Sequence, residues 1–168
     1  HIALVNKLAT VTNSVYAVIE SSPPSVTAPP KSPVMTEYFS RVQQAEDHIF
    51  GSDITIDSRV NTQVIATGQL NQLTPQQLQA ALETDYVVVF GSSYIKGWLD
   101  DALIAKNAVN LHMGISPQYR GSACNFWALF DNNPHLVGAT IHRLAKSLDS
   151  GSVIQHIHPE LTGQNLLH

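Results

Sequence analysis

Three polar side chains, Asn110, His112 and Asp149, stand where predicted strands give way to loops. Asn110 and His112 are two residues apart, so they share one face if the strand continues through them. An asparagine amide donates hydrogen bonds without changing its protonation, an imidazole can donate or carry a proton, and a carboxylate can orient an imidazole. Such a set suits a reaction in which an oxygen gains negative charge. Taken singly, each residue is more often a turn former or a structural histidine.

The elements that must position these residues alternate between strand and helix. Hydrophobic periodicity predicts helices at 1–11, 36–48, 74–83, 98–106 and 122–130, and strands at 15–19, 62–66, 87–90, 108–111, 137–144 and 153–158. The proline-rich stretch 21–33 is predicted to be a loop. Alternation of this kind favours a parallel α/β sheet with right-handed crossovers, in which ligands bind at the carboxyl ends of the strands. The segments after Phe90 and Leu111 both lie at that edge.

The amino-acid composition limits the classes of protein to which the chain can belong. The chain has 168 residues, of which 43% are hydrophobic, and a net charge of −4. These values predict one domain with a buried core and disfavour nucleic acid as the main partner. No apolar run is long enough for a membrane span. The single cysteine fits a reducing compartment, so the expected location is cytoplasmic, while the oligomeric state is left open.

Other chemistries receive less support from the sequence. Motifs of hydrolase elbows, phosphate-binding loops and dinucleotide-binding turns are absent. His142, His156 and His158 suggest zinc, but no cysteine or carboxylate completes a ligand set at metal-binding spacing, so no metal is expected. Cys124 could be a nucleophile activated by His112, but it lies inside a predicted apolar helix, where packing is the favoured role.

Three motifs, in order and spacing, resemble the folate-dependent N-formyltransferases. The first runs from Asn110-x-His112 through a short loop to Pro117 and the pair Arg120-Gly121. The second is Gly138-Ala-Thr-Ile-His142, and the third is Leu148-Asp149-Ser-Gly151. Upstream, residues 87–95 resemble the strand and loop with which that family holds the pterin ring. The resemblance is firm over residues 86–153.

The resemblance implies a fold as well. We expect a Rossmann-like, mostly parallel sheet with helices on both faces, forming a single catalytic domain over residues 1–168. Relative to the family, the chain begins inside the first helix, without the central first strand, and ends just after the last strand, so it is expected to be truncated at both ends. The predicted strands at 15–19 and 87–90 should flank the missing strand. We expect them to leave its place unfilled or to pair with each other.

The resemblance also implies roles for the reacting residues. The expected activity is formyl transfer from 10-formyltetrahydrofolate to a primary amine of a small molecule. Asn110 would donate a hydrogen bond to the oxygen that gains charge, and His112 would donate a second one or shuttle a proton. Asp149 would orient His112 and, through a water, accept the proton of the amine. All three side chains should therefore converge.

Further residues are expected to bind the two substrates. The segment implied to hold the folate consists of Gly91, Ser92, Ser93, Tyr94, Ile95 and Lys96. Its ordinary interpretation is a capped turn between strand and helix. Arg120, Gly121 and His142 are implied to contact the acceptor, although an exposed loop arginine and a hydrogen-bonded structural histidine are the alternatives. The loop ending at Pro117 departs from the common Ser-Leu-Leu-Pro of the family, which bears on substrate placement more than on chemistry.

The sequence leaves open both the identity of the acceptor and the type of reaction. The segment 125–129 with 138–142 is most similar to members that formylate amino sugars on nucleotide carriers, whereas relatives acting on glycinamide ribonucleotide or methionyl-tRNA share the same three residues. Hydrolysis of the same formyl-folate uses water in place of the amine. A catalytically inactive folate-binding or partner-binding module is the third alternative.

Overall fold

The computed structural model describes residues 1–21, 32–52 and 54–160. The chain divides into two compact units, His1–Thr74 and Pro75–His168, which are treated separately below. Most of the loop predicted at 21–33 lies outside the described residues. The expectation of one catalytic domain spanning the whole chain stays a prediction.

The first unit is built on a pair of parallel strands. Its elements are α1 (Ile2–Val11), β1 (Val15–Ser21), α2 (Pro33–Phe50), β2 (Val60–Ala66) and a short 3-10 helix (Leu70–Gln72). β1 and β2 pair in parallel from Val15 opposite Val60 to Ser21 opposite Ala66. Parallel neighbours need a long crossover, and the connection that contains α2 supplies it.

A small core joins α1 to the two strands. Ala9, Ala17 and Val60 are buried, and partly buried aliphatic side chains from the same elements pack around them. Asn6 on α1 fixes the segment before β2, because its amide donates to the carbonyl of Thr55 (2.7 Å) and accepts from the N–H of Asp57 (2.9 Å). Backbone groups that no strand pairs thus find a side-chain partner.

The second unit carries a four-stranded sheet. Its elements are α3 (Gln79–Leu82), β3 (Val88–Val89), α4 (Trp98–Ala105), β4 (Val109–His112), α5 (Cys124–Phe130), a 3-10 helix (Pro134–Leu136), β5 (Ala139–Arg143) and β6 (Val153–Ile157). The strand order is β3-β4-β5-β6. β3 is parallel to β4, while β5 is antiparallel to β4 and β6 is antiparallel to β5. The last connection contains no helix in the structure, which is compatible with an antiparallel return.

The strands expected to flank the missing strand do not pair with each other. Within the described ranges, β1 pairs with β2 only and β3 pairs with β4 only. No described strand pairs with both of them. This pairing fits the expected α/β fold without its first strand.

Two helices are clearly shorter than predicted, while α2 extends beyond its predicted bounds at both ends. The predicted helix at 74–83 is reduced to α3, since turns compete successfully in a segment that would gain few intrahelical bonds. α5 begins at Cys124 and its N-cap is Ala123, with a φ of 55°, so Ser122 is not the cap that the sequence predicted. Of the helices described, none has the length and apolar character needed to cross a bilayer.

Gly151 permits the close approach of the loop before β6 to the end of β5. A Cβ placed on Gly151 would lie 1.7 Å from the carbonyl oxygen of Arg143. That oxygen belongs to the backbone, so a side-chain rotation cannot relieve the overlap. The N–H of Arg143 donates to the carbonyl of Ser152 (3.0 Å), which holds the two segments together.

We expect Gly151→Ala to lower the free energy of unfolding by about 3 kcal/mol or more, because the backbone must move to admit the methyl group. Gly68→Ala is the matched control, since Gly68 has a φ of +84° with no atom within 4 Å of an added Cβ. It should lose only about 1–2 kcal/mol, from the left-handed backbone alone. Denaturant titration of both variants of the full-length protein measures the difference, and equal losses would contradict the packing argument.

Candidate active site

The register of β4 and β5 brings the predicted side chains together. Asn110 lies directly opposite His142, and His112 lies opposite Thr140. On the other side of β4, Val89 of β3 is the parallel partner of Asn110. The segment that follows β3 therefore leaves the sheet at the level of Asn110. All of these residues belong to the second unit.

Asp149 supplies a buried carboxylate to this end of the sheet. Its side chain is held by two hydrogen bonds, one from the amide of Asn110 to Oδ1 (3.1 Å) and one from the backbone N–H of Gly121 to Oδ2 (2.8 Å). Two imidazoles approach the same group: His112 Nδ1 lies 3.5 Å from Oδ2, and His142 Nε2 lies 3.4 Å from Oδ1. Asn110, His112 and Asp149 thus converge, as their placement in the sequence predicted.

The backbone of Asp149 is in the left-handed region, with a φ of 45°. A non-glycine residue is rarely found there, and the conformation costs about 1–2 kcal/mol. Asp149 is only 8% exposed, so its carboxylate has left bulk water and depends on the donors around it. The loop geometry thus points a charged group inward rather than toward solvent.

His112 is buried and clamped between the Asp149 carboxylate and the loop after β4. Its Nε2 donates to the carbonyl of Tyr119 at 3.0 Å. With Nε2 protonated, Nδ1 meets Asp149 as an acceptor in the neutral ring and as a second donor in the cationic ring. His112 can therefore hold or release a proton at Nδ1 without losing its orientation.

Cys124 also contacts His112, because its Sγ lies 3.5 Å from Nε2. The thiol is buried, and its pKa is raised first by that burial and then by the negative charge of Asp149. Gly114 makes this packing possible, since an added Cβ would lie 2.4 Å from the Cβ of Cys124 and 2.8 Å from His112 Nε2. A neutral thiol in such a setting packs against the imidazole and is a poor nucleophile.

The loop between His112 and Pro117 is tied to the last two strands. Thr140 on β5 donates to the carbonyl of Gly114 (2.6 Å) and accepts from the N–H of Ser116 (3.0 Å). His156 on β6 donates to the carbonyl of Ser116 (2.9 Å). The Ser116 hydroxyl is buried and has no partner among the described groups. Where the family commonly has leucine, this chain therefore places a hydroxyl in the interior.

The implied folate segment follows β3 at the same edge of the sheet. Gly91 turns the chain with a φ of 59°. Ser93 and Ile95 are partly buried, while Gly91, Ser92, Tyr94 and Lys96 are exposed. The hydroxyl of Ser92 donates to the carbonyl of Ser93 (3.0 Å), as in an ordinary turn. The segment begins two residues after Val89, the strand partner of Asn110, and its role stays a prediction.

The three residues implied to contact the acceptor are placed differently. Arg120 is exposed, and its guanidinium makes no ion pair with any group that the structure describes. Gly121 reaches Asp149 through its backbone, with a φ of 89°. His142 is 2% exposed and both of its ring nitrogens face protein atoms. The apolar alternation along β5 indicated a hydrogen-bonded histidine at position 142, but nothing in the sequence predicted its contact with Asn110 or the bond between His112 and the carbonyl of Tyr119.

The histidines that suggested zinc lie against other protein groups. His156 and His158 lie with their ring centroids 6.5 Å apart, and His156 is bonded to the Ser116 carbonyl. No group of three or more histidine, cysteine, aspartate or glutamate side chains suited to a metal ion occurs in the described parts of the chain.

Comparison with known proteins bears on the fold. No family model matches the chain. Among curated proteins, mitochondrial formyltetrahydrofolate deformylase 1 of Arabidopsis thaliana is 27% identical over 99 residues, which are 55% of this chain and 28% of the relative. The chain thus matches little more than a quarter of that relative's length.

Two solved structures cover most of the chain. Phosphoribosylglycinamide formyltransferase from Bacillus halodurans has a TM-score of 0.52 at 20% identity, covering 98% of this chain and 77% of its own. Glycinamide ribonucleotide transformylase 1 from Geobacillus kaustophilus has a TM-score of 0.53 at 16% identity, covering 96% and 79%. Together with the strand order and the pairing of β4 with β5, these likenesses show that the chain has the fold of the folate-dependent formyltransferases.

Proposed function

We propose that the protein transfers a formyl group from 10-formyltetrahydrofolate to the primary amine of a small molecule, with Asn110, His112 and Asp149 as its catalytic residues. The observation that carries the proposal is the convergence of an amide, an imidazole and a carboxylate at one end of β4. Amide and imidazole N–H groups are the donors that an oxygen needs as it gains charge. A carboxylate beside an imidazole is the pair that moves a proton.

10-Formyltetrahydrofolate supplies, when bound, a formyl group whose bond to nitrogen breaks as the acceptor amine bonds to its carbon. The amide of Asn110 donates to the formyl oxygen while that oxygen carries negative charge. His112 is oriented by its bond to the Tyr119 carbonyl, so that Nδ1 exchanges a proton with Asp149. The proton that the amine loses passes through this pair and ends on the folate nitrogen, so that no net charge is left on the protein.

The segment 91–96 fits a flat ring bound beside Asn110. It begins two residues after Val89, the partner of Asn110, with Gly91 turning the chain and Ile95 partly buried between exposed residues. Cofactor sites combine an apolar surface with a few polar groups in this way. We assign the folate to this segment on that basis.

The acceptor is proposed to be an amino sugar on an anionic carrier. Arg120 precedes Gly121, whose backbone N–H donates to Asp149. Arg120 is therefore one residue in sequence from the proposed catalytic cluster, and its guanidinium makes no ion pair among the described groups. A guanidinium recognises phosphate through paired N–H donors. The similarity of segments 125–129 and 138–142 to amino-sugar enzymes favours this acceptor over glycinamide ribonucleotide or methionyl-tRNA.

Hydrolysis of the formyl-folate is the second candidate, and the deformylase relative favours it. The same three side chains serve either nucleophile, since water and an amine each lose a proton on attack. Only the product separates the two: free formate from hydrolysis, and a formamide from transfer. A third possibility, a binding module without activity, would give neither product.

Replacing Asn110 by alanine should lower kcat by about 10²–10³-fold, because one donor to the charged oxygen is lost. Asn61→Ala is the control, since Asn61 is an exposed asparagine on β2. Formate and formamide are quantified with the full-length protein, with and without an amino-sugar acceptor. If Asn110→Ala is as fast as the control, Asn110 is not a catalytic residue. If the wild-type protein yields neither formate nor formamide, the hypothesis of a binding module without activity is the one that remains.

Cys124→Ala should retain formyl transfer to within a few fold, because a neutral buried thiol does not take part as a nucleophile. The free energy of unfolding should fall by about 1 kcal/mol from lost packing. Rates measured well below the unfolding temperature separate a change in catalysis from a change in stability. A loss of activity as large as that of Asn110→Ala in a folded Cys124→Ala variant would indicate a covalent route through the thiol.

Ile95→Ala should weaken the binding of a non-reactive reduced-folate analogue about tenfold, by removing apolar surface from beneath the ring. Ile154→Ala, an exposed isoleucine on β6 that is 51% accessible, is the matched control. Titration calorimetry on the full-length protein measures both. If wild type does not bind the analogue, or if the two variants weaken it equally, the segment 91–96 is not the folate site.

A further inference from the structure

Tyr119 connects the loop after β4 to the end of α5. Its phenol donates to Asp131 Oδ2 at 3.1 Å and accepts from the side-chain amide of Asn133 at 3.0 Å. Asp131 is the C-cap of α5, and Asn133 is tied to the same helix because its N–H donates to the carbonyl of Ala128 at 2.7 Å. The hydroxyl of Tyr119 is thus used both as a donor and as an acceptor, which fixes the direction of its side chain.

The backbone that follows this phenol holds two of the three proposed catalytic side chains. The carbonyl of Tyr119 accepts from His112 Nε2 at 3.0 Å, and the N–H of Gly121 donates to Asp149 Oδ2 at 2.8 Å. The same carboxylate oxygen lies 3.5 Å from His112 Nδ1. The three-residue segment 119–121 therefore sets the position of the imidazole and the carboxylate relative to each other.

The phenol is the side-chain anchor of the segment 119–121. The N–H of Tyr119 donates to the carbonyl of Ile115 at 2.9 Å, but that carbonyl belongs to the same loop. Arg120 is exposed, and Gly121, with a φ of 89°, has no side chain to bond. Among the side chains of this segment, the phenol is the one that the structure shows bonded to a neighbouring helix.

We propose that the phenol of Tyr119 positions the segment 119–121, and with it the imidazole of His112 and the carboxylate of Asp149, for formyl transfer; this inference rests on the proposed function. Tyr119 acts through these two side chains and does not itself touch the substrates. A displacement of about 1 Å in a reacting group lowers a rate by up to about 100-fold. A loosened segment should therefore slow the reaction without changing how the folate binds.

Tyr119→Phe tests the proposal, because it removes the hydroxyl and keeps the ring. In the full-length protein, kcat for formyl transfer should fall about tenfold while KM for 10-formyltetrahydrofolate stays unchanged. Tyr86→Phe is the matched control, since Tyr86 belongs to the same unit and is 87% exposed. An equal kcat in the two variants overturns the proposal, and so does a rise in KM that accounts for the whole loss.

The other end of the anchor gives a second set of variants. Asp131 is exposed, so its replacement leaves the interior of the unit intact. Asp131→Ala removes an acceptor of the phenol and should lower kcat, whereas Asp131→Asn keeps an acceptor oxygen and should restore most of the rate. The double variant Tyr119→Phe/Asp131→Ala should be no slower than Tyr119→Phe, because both changes remove the same bond. Losses that multiply in the double variant overturn the proposal.

Hydrogen exchange separates this inference from the proposed function, because it needs no turnover. Nuclear magnetic resonance at constant pH follows the hydrogen on His112 Nε2, assigned from its contacts with Tyr119 and Cys124. It should exchange with water about tenfold faster in Tyr119→Phe than in wild type or Tyr86→Phe. Equal exchange rates overturn the positioning role. If exchange is faster but neither formate nor formamide forms in wild type, the proposed function fails while the link between Tyr119 and His112 stands.

Discussion

The buried carboxylate of Asp149 is the constraint on which the site depends. An ionised group removed from water must be matched by donors, and here they come from the Asn110 amide and the backbone N–H of Gly121, while the rings of His112 and His142 lie beside the carboxylate. Each donor belongs to a different segment of the second unit. The carboxylate therefore holds β4, β5 and the loop after β4 in one arrangement, and removing any donor leaves charge uncompensated.

Antiparallel pairing of β5 with β4 is what makes that arrangement possible. A shift of one residue in register would turn His142 to the opposite face and take the Nε2 atom away from Asn110. The loop from Gly114 to Pro117 reinforces the register, because Thr140 and His156 bind its backbone from two successive strands. The chemistry is thus placed by the sheet, and the loops are fastened to it.

The sequence predicted the parts that depend on local pattern. Spacing placed Asn110 and His112 at the end of a buried strand, and the motif around Asp149 placed it in a late loop; their convergence follows from the order of elements. The sequence singles out His142 itself, but its contact with Asn110 could not be predicted, because that contact depends on which residue of β5 faces Asn110. The sequence predicted that Cys124 packs, because it lies in an apolar helix. Its contact with His112 depends on the left-handed turn at Ala123, for which the local sequence gives no signal. The family's strand order left open whether β1 and β3 would pair with each other, and among the described strands they do not.

The left-handed backbone at Asp149 has a consequence for how this chain can evolve. Glycine there would relax the backbone and asparagine would tolerate it well, and either would remove a buried charge that must otherwise be compensated. Glycine would leave the N–H of Gly121 and one N–H of Asn110 without their acceptor, whereas asparagine would keep one acceptor oxygen. Relief of the backbone at position 149 is therefore offset by lost pairing, and asparagine is the replacement that would disturb the three segments least.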